Sequence, residues 1–206
     1  MKRLIDICLS LLALVLLSPL FLVIGLAIIL ESKGGIFFVQ ERVGKGFQLF
    51  NLYKFRSMRP NVEHLGQITV GERDPRITTV GYFLRKYKLD ELPQLWNILK
   101  GDMSFVGPRP EVSYYVDQYS EEQQQLLSIR PGLTDFASLY YFEEAKLLAN
   151  SDHPEKTYTE VVMPKKLNYS LMYMDQQSTF LDIKLIIVTA LRVLGIRIQL
   201  SEVESK

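Results

Sequence analysis

Residues 87–111 read YKLDELPQLWNILKGDMSFVGPRPE, and the rest of the chain is read outward from them. Adjacent carboxylates at Asp90 and Glu91 open a short amphipathic helix: Leu92, Leu95, Trp96 and Leu99 recur at helical spacing, and Lys100-Gly101 supplies a stop signal. Pro93 falls in the first turn, where a missing N–H has no intrahelical acceptor to lose. Carboxylates at that end meet the positive pole of the helix dipole. The pair is therefore expected at the surface, not buried. Just beyond, Gly107-Pro108-Arg109-Pro110 reads as a stiff turn whose prolines aim a single guanidinium. An acid pair faces a fixed cation.

At 206 residues the chain is long enough for one domain with a real core plus one appendage. A formal net charge of +1 argues against nucleic-acid binding through bulk electrostatics, so no nucleic-acid partner is expected. Cys8 is the only cysteine and lies in an apolar run, which leaves neither a disulfide framework nor a thiolate metal site. The two histidines, His64 and His153, are too far apart in sequence to suggest a histidine-based metal centre.

No charged residue interrupts residues 7–30, and at ~1.5 Å rise per residue a straight helix of that length crosses a ~30 Å hydrocarbon layer. The run exceeds the h-region of a secretory signal, and no small-residue cleavage pattern follows it. Ser18-Pro19 sits at its middle, where proline removes a backbone bond and kinks the helix. Two geometries stay open: a kinked spanning helix, or a re-entrant hairpin that enters and leaves by one leaflet. Lys2 and Arg3 before the run, with Lys33, Arg42, Lys45, Lys54, Arg56 and Arg59 after it, modestly favour the hairpin, with both ends cytoplasmic, and leave the spanning helix open.

After Gly34-Gly35, residues 36–39 read as a short buried strand and residues 40–44 as a turn. Residues 47–55 form a second strand or ribbon, delivering Lys54 and Arg56 to one side of a period-2 segment. These two make either a phosphate clamp or a solvated basic edge. Residues 60–76 read as a loop. Residues 77–88 read as a helix bringing Arg85 close to the acid pair, with a surface cation the simpler account. A helix runs from Ser120 to near Ile129, and Arg130-Pro131-Gly132-Leu133-Thr134 is a turn. Tyr140, Tyr141 and Phe142 suit a core or membrane-interface cluster better than a sugar platform. Residues 143–149, 164–175 and 178–195 read as helices, the last capped by Ser178 and suited either to the membrane interface or to core packing.

A carboxylate pair, nearby arginines and lysines, no histidine base and a membrane anchor favour phosphoryl chemistry on a lipid. On spacing alone the pair is also consistent with simple helix capping.

Context narrows the choice. Leu89-Asp90-Glu91-Leu92-Pro93-Gln94-Leu95-Trp96-Asn97, Lys100-Gly101-Asp102-Met103-Ser104 and Val106-Gly107-Pro108-Arg109-Pro110 together resemble the signature of the bacterial sugar transferases called monotopic phosphoglycosyl transferases. Lys54-Phe55-Arg56-Ser57-Met58, Phe83-Leu84-Arg85-Lys86 and Arg130-Pro131-Gly132-Leu133-Thr134 match that family in order, and the chain resembles its short, catalytic-core-only members. The resemblance implies an α+β, mostly helical protein. Residues 1–33 would form a kinked re-entrant membrane helix, and residues 34–206 one cytosolic catalytic domain with short strands and interfacial amphipathic helices. The site would lie at the cytoplasmic face of a bacterial inner membrane.

The implied reaction transfers a sugar 1-phosphate from a UDP-sugar to a polyprenyl phosphate, such as undecaprenyl phosphate, and releases UMP at the start of a glycan assembly pathway. By the same resemblance Asp90 is the nucleophile that forms a phosphosugar ester, and Glu91 assists. Both carboxylates hold Mg²⁺. Arg109 with Pro108 and Pro110 receives the uridine side of the donor, while Lys54, Arg56 and Arg85 steady phosphates. Ser18-Pro19 is the family's helix break. Membrane lipids and downstream glycosyltransferases are the expected partners. After Thr134 the sequence departs from the family pattern as Asp135-Phe136-Ala137-Ser138, and Asp102, Glu111 and Asp135 stay unassigned. Two other readings are direct attack by the lipid phosphate, with Asp90 only a metal ligand, and a catalytically silent scaffold of a glycan assembly complex.

Overall fold

The computed structural model describes residues 2–60, 69–71, 74–196 and 198, which leaves His64 of the expected loop outside the described residues. The chain is α+β and mostly helical, with four short strands among the described residues.

The N-terminal apolar run forms two helices, α1 (Lys2–Leu16) and α2 (Ser18–Glu31), bent by 60° at their junction. Proline explains the break. Pro19 cannot donate to the carbonyl of Val15, and the Ser18 hydroxyl donates to that carbonyl instead, at 2.8 Å. No single helix among the described residues is long and apolar enough to cross a membrane, whereas the bent pair reaches that length and composition together. Its inner side packs on the body: Ile24 and Ile28 lie against Phe55 and Leu84, and Ala13, Leu14 and Leu17 against Leu52, Leu95, Ile98 and Met103. Its outer side leaves Leu12, Val15, Leu16, Leu22, Val23 and Leu30 exposed, a continuous apolar face of the kind that marks an interaction surface.

Both ends of the pair are fastened. Arg3 donates to the carbonyls of Ile98 and Leu99 at 2.5 and 2.8 Å. Lys2 donates to the Val106 carbonyl and the Tyr173 hydroxyl and pairs with Asp182 at 2.9 Å. Buried Asp6 accepts from the Ser104 hydroxyl and the Phe105 amide. At the far end, Arg56 donates to the carbonyls of Ser32 and Lys33, just past α2.

An antiparallel hairpin follows, β1 (Phe37–Val43) and β2 (Leu49–Phe55), with Phe38 opposite Lys54. The first strand is longer than the sequence suggests and is not buried. Residues 40–43 continue the ladder, and Phe37 and Val39 face outward because a two-stranded sheet covers only one side. Next come α3 (Thr79–Lys86), capped by the Thr78 hydroxyl, and α4 (Gln94–Lys100), ended by Gly101 in the left-handed region at φ 102°. Asn97, fully buried, joins α4 to β2: its side chain accepts from the Tyr53 amide and donates to the Asn51 carbonyl.

Strand β3 (Ser104–Val106) pairs in parallel with β4 (Gly132–Thr134). Residues 132–134 thus form a strand where the Pro-Gly signal suggests only a turn. Glycine is required there, since a Cβ on Gly132 would collide with the Gly107 backbone. The remaining helices are α5 (Ser113–Val116), α6 (Glu121–Gln124), α7 (Phe136–Tyr140), α8 (Glu144–Ala149), α9 (Pro154–Thr157), α10 (Met163–Gln176) and α11 (Thr179–Val193). In α11, Leu185 and Val188 enter a core with Val106, Phe136 and Tyr173, while Phe180, Ile183 and Ile187, with Leu194 just past its end, stay exposed. One face packs and the other remains open and apolar.

Candidate active site

Asp90 and Glu91 lie on a single 3₁₀ turn, Leu89–Glu91, and not on the helix that follows, because α4 begins only at Gln94 with Pro93 as its cap. Both are buried, at 5% and 9% exposure, which corrects the expectation of a surface pair. Leu89 and Leu92 anchor this turn in the Ile24, Ile28, Phe55 and Leu84 cluster, so the two carboxylates between them are drawn under β2 and α3. The dyad is thus on the side of the body that carries the bent helix pair. Lys88, which leads into the turn, has a left-handed backbone at φ 53°, a conformation that disfavours any residue with a Cβ.

Glu91 is the more heavily engaged carboxylate. Its Oε1 accepts from Lys54 Nζ at 2.9 Å and from Arg109 Nη2 at 2.6 Å. Burial pushes Glu91 up, but the Arg109 and Lys54 charges and the Arg109 hydrogen bonds outweigh it and hold this carboxyl well below the usual range. Burial likewise pulls the Lys54 amine down, against the field of Glu91. Asp90 behaves oppositely. Its Oδ1 is buried without a hydrogen-bond partner, and burial raises its pKa, with Lys54 opposing and Glu91 adding to the rise. Arg85, half-buried in the last turn of α3, and Lys88 also act on it through their charges.

The predicted residues divide into two groups. Lys54, Arg109, Asp90 and Glu91 converge, with Arg85 beside them. Arg56 does not join them, because β2 ends at Phe55 and the two-residue alternation ends with it; the guanidinium turns to Ser32 and Lys33. Ser18 and Pro19 lie at the bend between α1 and α2. Pro108 and Pro110 flank Arg109 in a tethered turn: the Pro108 carbonyl accepts from the Gly132 amide at 2.9 Å, and that of Pro110 from Arg42 at 3.1 Å. Arg109 lines a small cleft whose polar lining also includes Glu111, Tyr158 and Lys166.

The acids left unassigned by sequence have structural partners. Glu111 pairs with Arg42 at 3.0 Å and accepts from the Tyr158 hydroxyl. Asp102 accepts from Asn97 and Lys100. Asp135 caps α7 through the Ser138 amide and accepts from the Ser170 hydroxyl. Lys88, Arg42 and Asn97 escaped the sequence reading because their partners are distant in the chain; a charged residue two positions ahead of the acid pair was the one local signal for Lys88.

Among the described residues no three Asp, Glu, His or Cys side chains cluster as a metal cage. Mg²⁺ does not require one, since it commonly binds one or two carboxylates and takes its other oxygens from phosphate and water. The unpartnered Oδ1 of Asp90 fits such a site, whereas Glu91 is held by two cations.

Comparison with known proteins adds the following. The family model described as bacterial sugar transferase matches residues 1–195. The chain is 39% identical over 198 residues to a UDP-glucose:undecaprenyl-phosphate glucose-1-phosphate transferase of Xanthomonas campestris pv. campestris, covering 94% of this chain and 39% of that one. It is 45% identical over 143 residues to a UDP-N-acetylgalactosamine-undecaprenyl-phosphate N-acetylgalactosaminephosphotransferase of Aeromonas hydrophila, covering 68% and 34%. With the uncharacterized sugar transferase EpsL of Bacillus subtilis (strain 168) it shares 33% identity over 194 residues, 94% of this chain and 87% of that one. The chain spans less than half the length of the first two relatives.

Proposed function

The chain belongs to the bacterial sugar transferase family, and from that premise we propose that it transfers a sugar 1-phosphate from a UDP-sugar to a polyprenyl phosphate at a membrane surface, releasing UMP. The supporting observation is the contrast within the dyad. Glu91 is saturated by Lys54 and Arg109, while Asp90 keeps a buried oxygen with no hydrogen bond to satisfy it. A desolvated, unpartnered carboxylate beside a lysine suits a nucleophile better than a cap.

In the proposed sequence an Asp90 oxygen attacks the phosphorus that bears the sugar. The bond from that phosphorus to the bridging oxygen breaks, and UMP departs with the electron pair. The sugar phosphate is left as an acyl phosphodiester on Asp90. An oxygen of the polyprenyl phosphate then attacks the same phosphorus, the Asp90–phosphorus bond breaks, and the carboxylate is regenerated. Lys54 and Arg109, held in place by Glu91 before substrate arrives, offer their charge to the diphosphate. Arg85 adds a further positive charge near Asp90. Mg²⁺, when bound at Asp90, would neutralise charge on the donor diphosphate. The exposed apolar face of the α1–α2 pair, whose inner side packs against the dyad's turn, supports a catalytic body seated on the cytoplasmic face of a bacterial inner membrane.

Asp90→Asn tests the assignment. Turnover should be abolished while UDP-sugar binding persists, and the unaltered protein incubated with donor alone should carry one phosphosugar on Asp90, read by mass spectrometry. Retained turnover in Asp90→Asn would place the nucleophile elsewhere.

A further inference from the structure

The proposed route brings a second phosphate, that of the acceptor, to the same carboxylate, and this anion needs positive charge of its own. Several cations near the site are already committed. Lys54 and Arg109 hold Glu91, Arg56 holds the end of α2, and Arg42 holds Glu111. Two others are placed together by the fold. Lys88 Nζ stands 5.1 Å from the centre of the Phe142 ring, and Arg192 Cζ, on the last turn of α11, 5.4 Å from it. The ring's electron-rich face tethers both cations without neutralising either. Among the described residues neither has a carboxylate within ion-pair distance.

Three further observations bear on what this pair receives. Lys88 lies two residues ahead of Asp90 and takes the unfavourable left-handed backbone noted above, the sort of local strain that persists where a side chain is held for a task. Its charge reaches both carboxylates of the dyad. The chain around each cation carries exposed apolar side chains: Phe83 and Tyr87 before Lys88, Leu194 and Ile196 after Arg192. A soluble anion needs no such rim. We propose that Lys88 and Arg192, bridged by Phe142, are the docking site for the phosphate of a lipid-borne acceptor, a phosphate monoester whose hydrocarbon chain lies along these apolar residues. This rests on the transfer reaction proposed above.

The donor diphosphate has the same charge chemistry, so the test separates the two sources. With the full chain in lipid bilayers, UMP release is titrated against a polyprenyl phosphate at saturating donor, and against UDP-glucose or UDP-N-acetylgalactosamine at saturating acceptor. Arg192→Gln and Lys88→Gln should each raise KM for the acceptor about ten-fold, the loss of one charge-assisted contact. Arg192→Lys, which keeps the charge but not the planar guanidinium over the ring, should raise it less than Arg192→Gln does. A rise in donor KM in place of acceptor KM would assign the pair to the nucleotide and overturn the proposal, as would an acceptor KM unchanged in both neutral variants. The acceptor-free burst of UMP in the unaltered protein is the separate check on the covalent route. Its absence would remove the Asp90 intermediate and leave the acceptor comparison in force.

Discussion

Replacing Glu91 with glutamine leaves Lys54 and Arg109 converging on a neutral amide. The native carboxylate is 11% exposed, the Lys54 side chain 19% and the Arg109 side chain 33%. Removing one partner of a buried ion pair costs about 3–5 kcal/mol, because the remaining charge stays desolvated. Water reaches Arg109, and Asp90 offsets part of the Lys54 charge, so the lower end is expected, about 3 kcal/mol. For a domain of this length each kcal/mol moves Tm by about 2–4 °C, which puts the Glu91→Gln melt roughly 6–12 °C below the parent. The measurement is a thermal melt of the full chain in detergent micelles, completed as a cycle with Lys54→Met and the double variant. Contacting residues should couple by about 1.5 kcal/mol or more, the double variant recovering stability because no unpaired ammonium remains. A drop in Tm under about 2 °C, or a coupling under about 0.5 kcal/mol, would show that Glu91 behaves as a surface acid and that its two cations are held by something else.

In the proposed route only the ionised form of Asp90 attacks phosphorus, so kcat/KM should fall as pH drops through a pKa that burial has raised above the ordinary aspartate value. Lys54 pulls that value down and Glu91 pushes it up. Lys54→Met should therefore move the acid limb of a single-turnover pH profile to higher pH and Glu91→Gln to lower pH; a limb that stays put in both belongs to another group. Gly132→Ala drives a methyl group into the Gly107 backbone where β3 and β4 meet. Overpacking of this kind costs about 1–3 kcal/mol, and the turn carrying Arg109 is displaced with it, so KM for UDP-sugar should rise as Tm falls. A parent-like melt for Gly132→Ala would contradict the close approach.

Much of the helical part of this fold is legible because the signals are local. Ser18-Pro19 marks the bend, Ser178 caps its helix, Gly101 ends α4, and the apolar spacing of residues 164–175 gives α10 within a residue at either end. The dyad's motif is equally plain, but its burial is not. Helical periodicity from Leu92 onward hides the fact that Asp90 and Glu91 belong to a separate turn, and β2 and α3 cover that turn from distant parts of the chain. Arg56 shows how a periodicity argument fails at an element's edge. Alternation holds for Lys54 inside β2 and lapses one residue past Phe55, where the side chain caps α2 instead. The β3–β4 pair and the Lys88, Phe142 and Arg192 group are long-range meetings, written in no single stretch of residues.

The fastening of α1 bears on how the protein is made. Lys2 closes onto a hydroxyl 171 positions later in the chain, and Arg3 waits for carbonyls 95 and 96 positions on. A ribosome therefore delivers the greasiest segment long before the groups that will pin its polar end exist, and contacts of such sequence separation are slow to close. Throughout that interval α1 lacks most of the surface it later packs on, since Leu95, Ile98 and Met103 come as late as the carbonyls that hold Arg3. Early delivery into lipid, or a chaperone in its place, would be a condition of reaching the native state at all, and a translation system lacking both should yield aggregate from this chain before it yields folded protein.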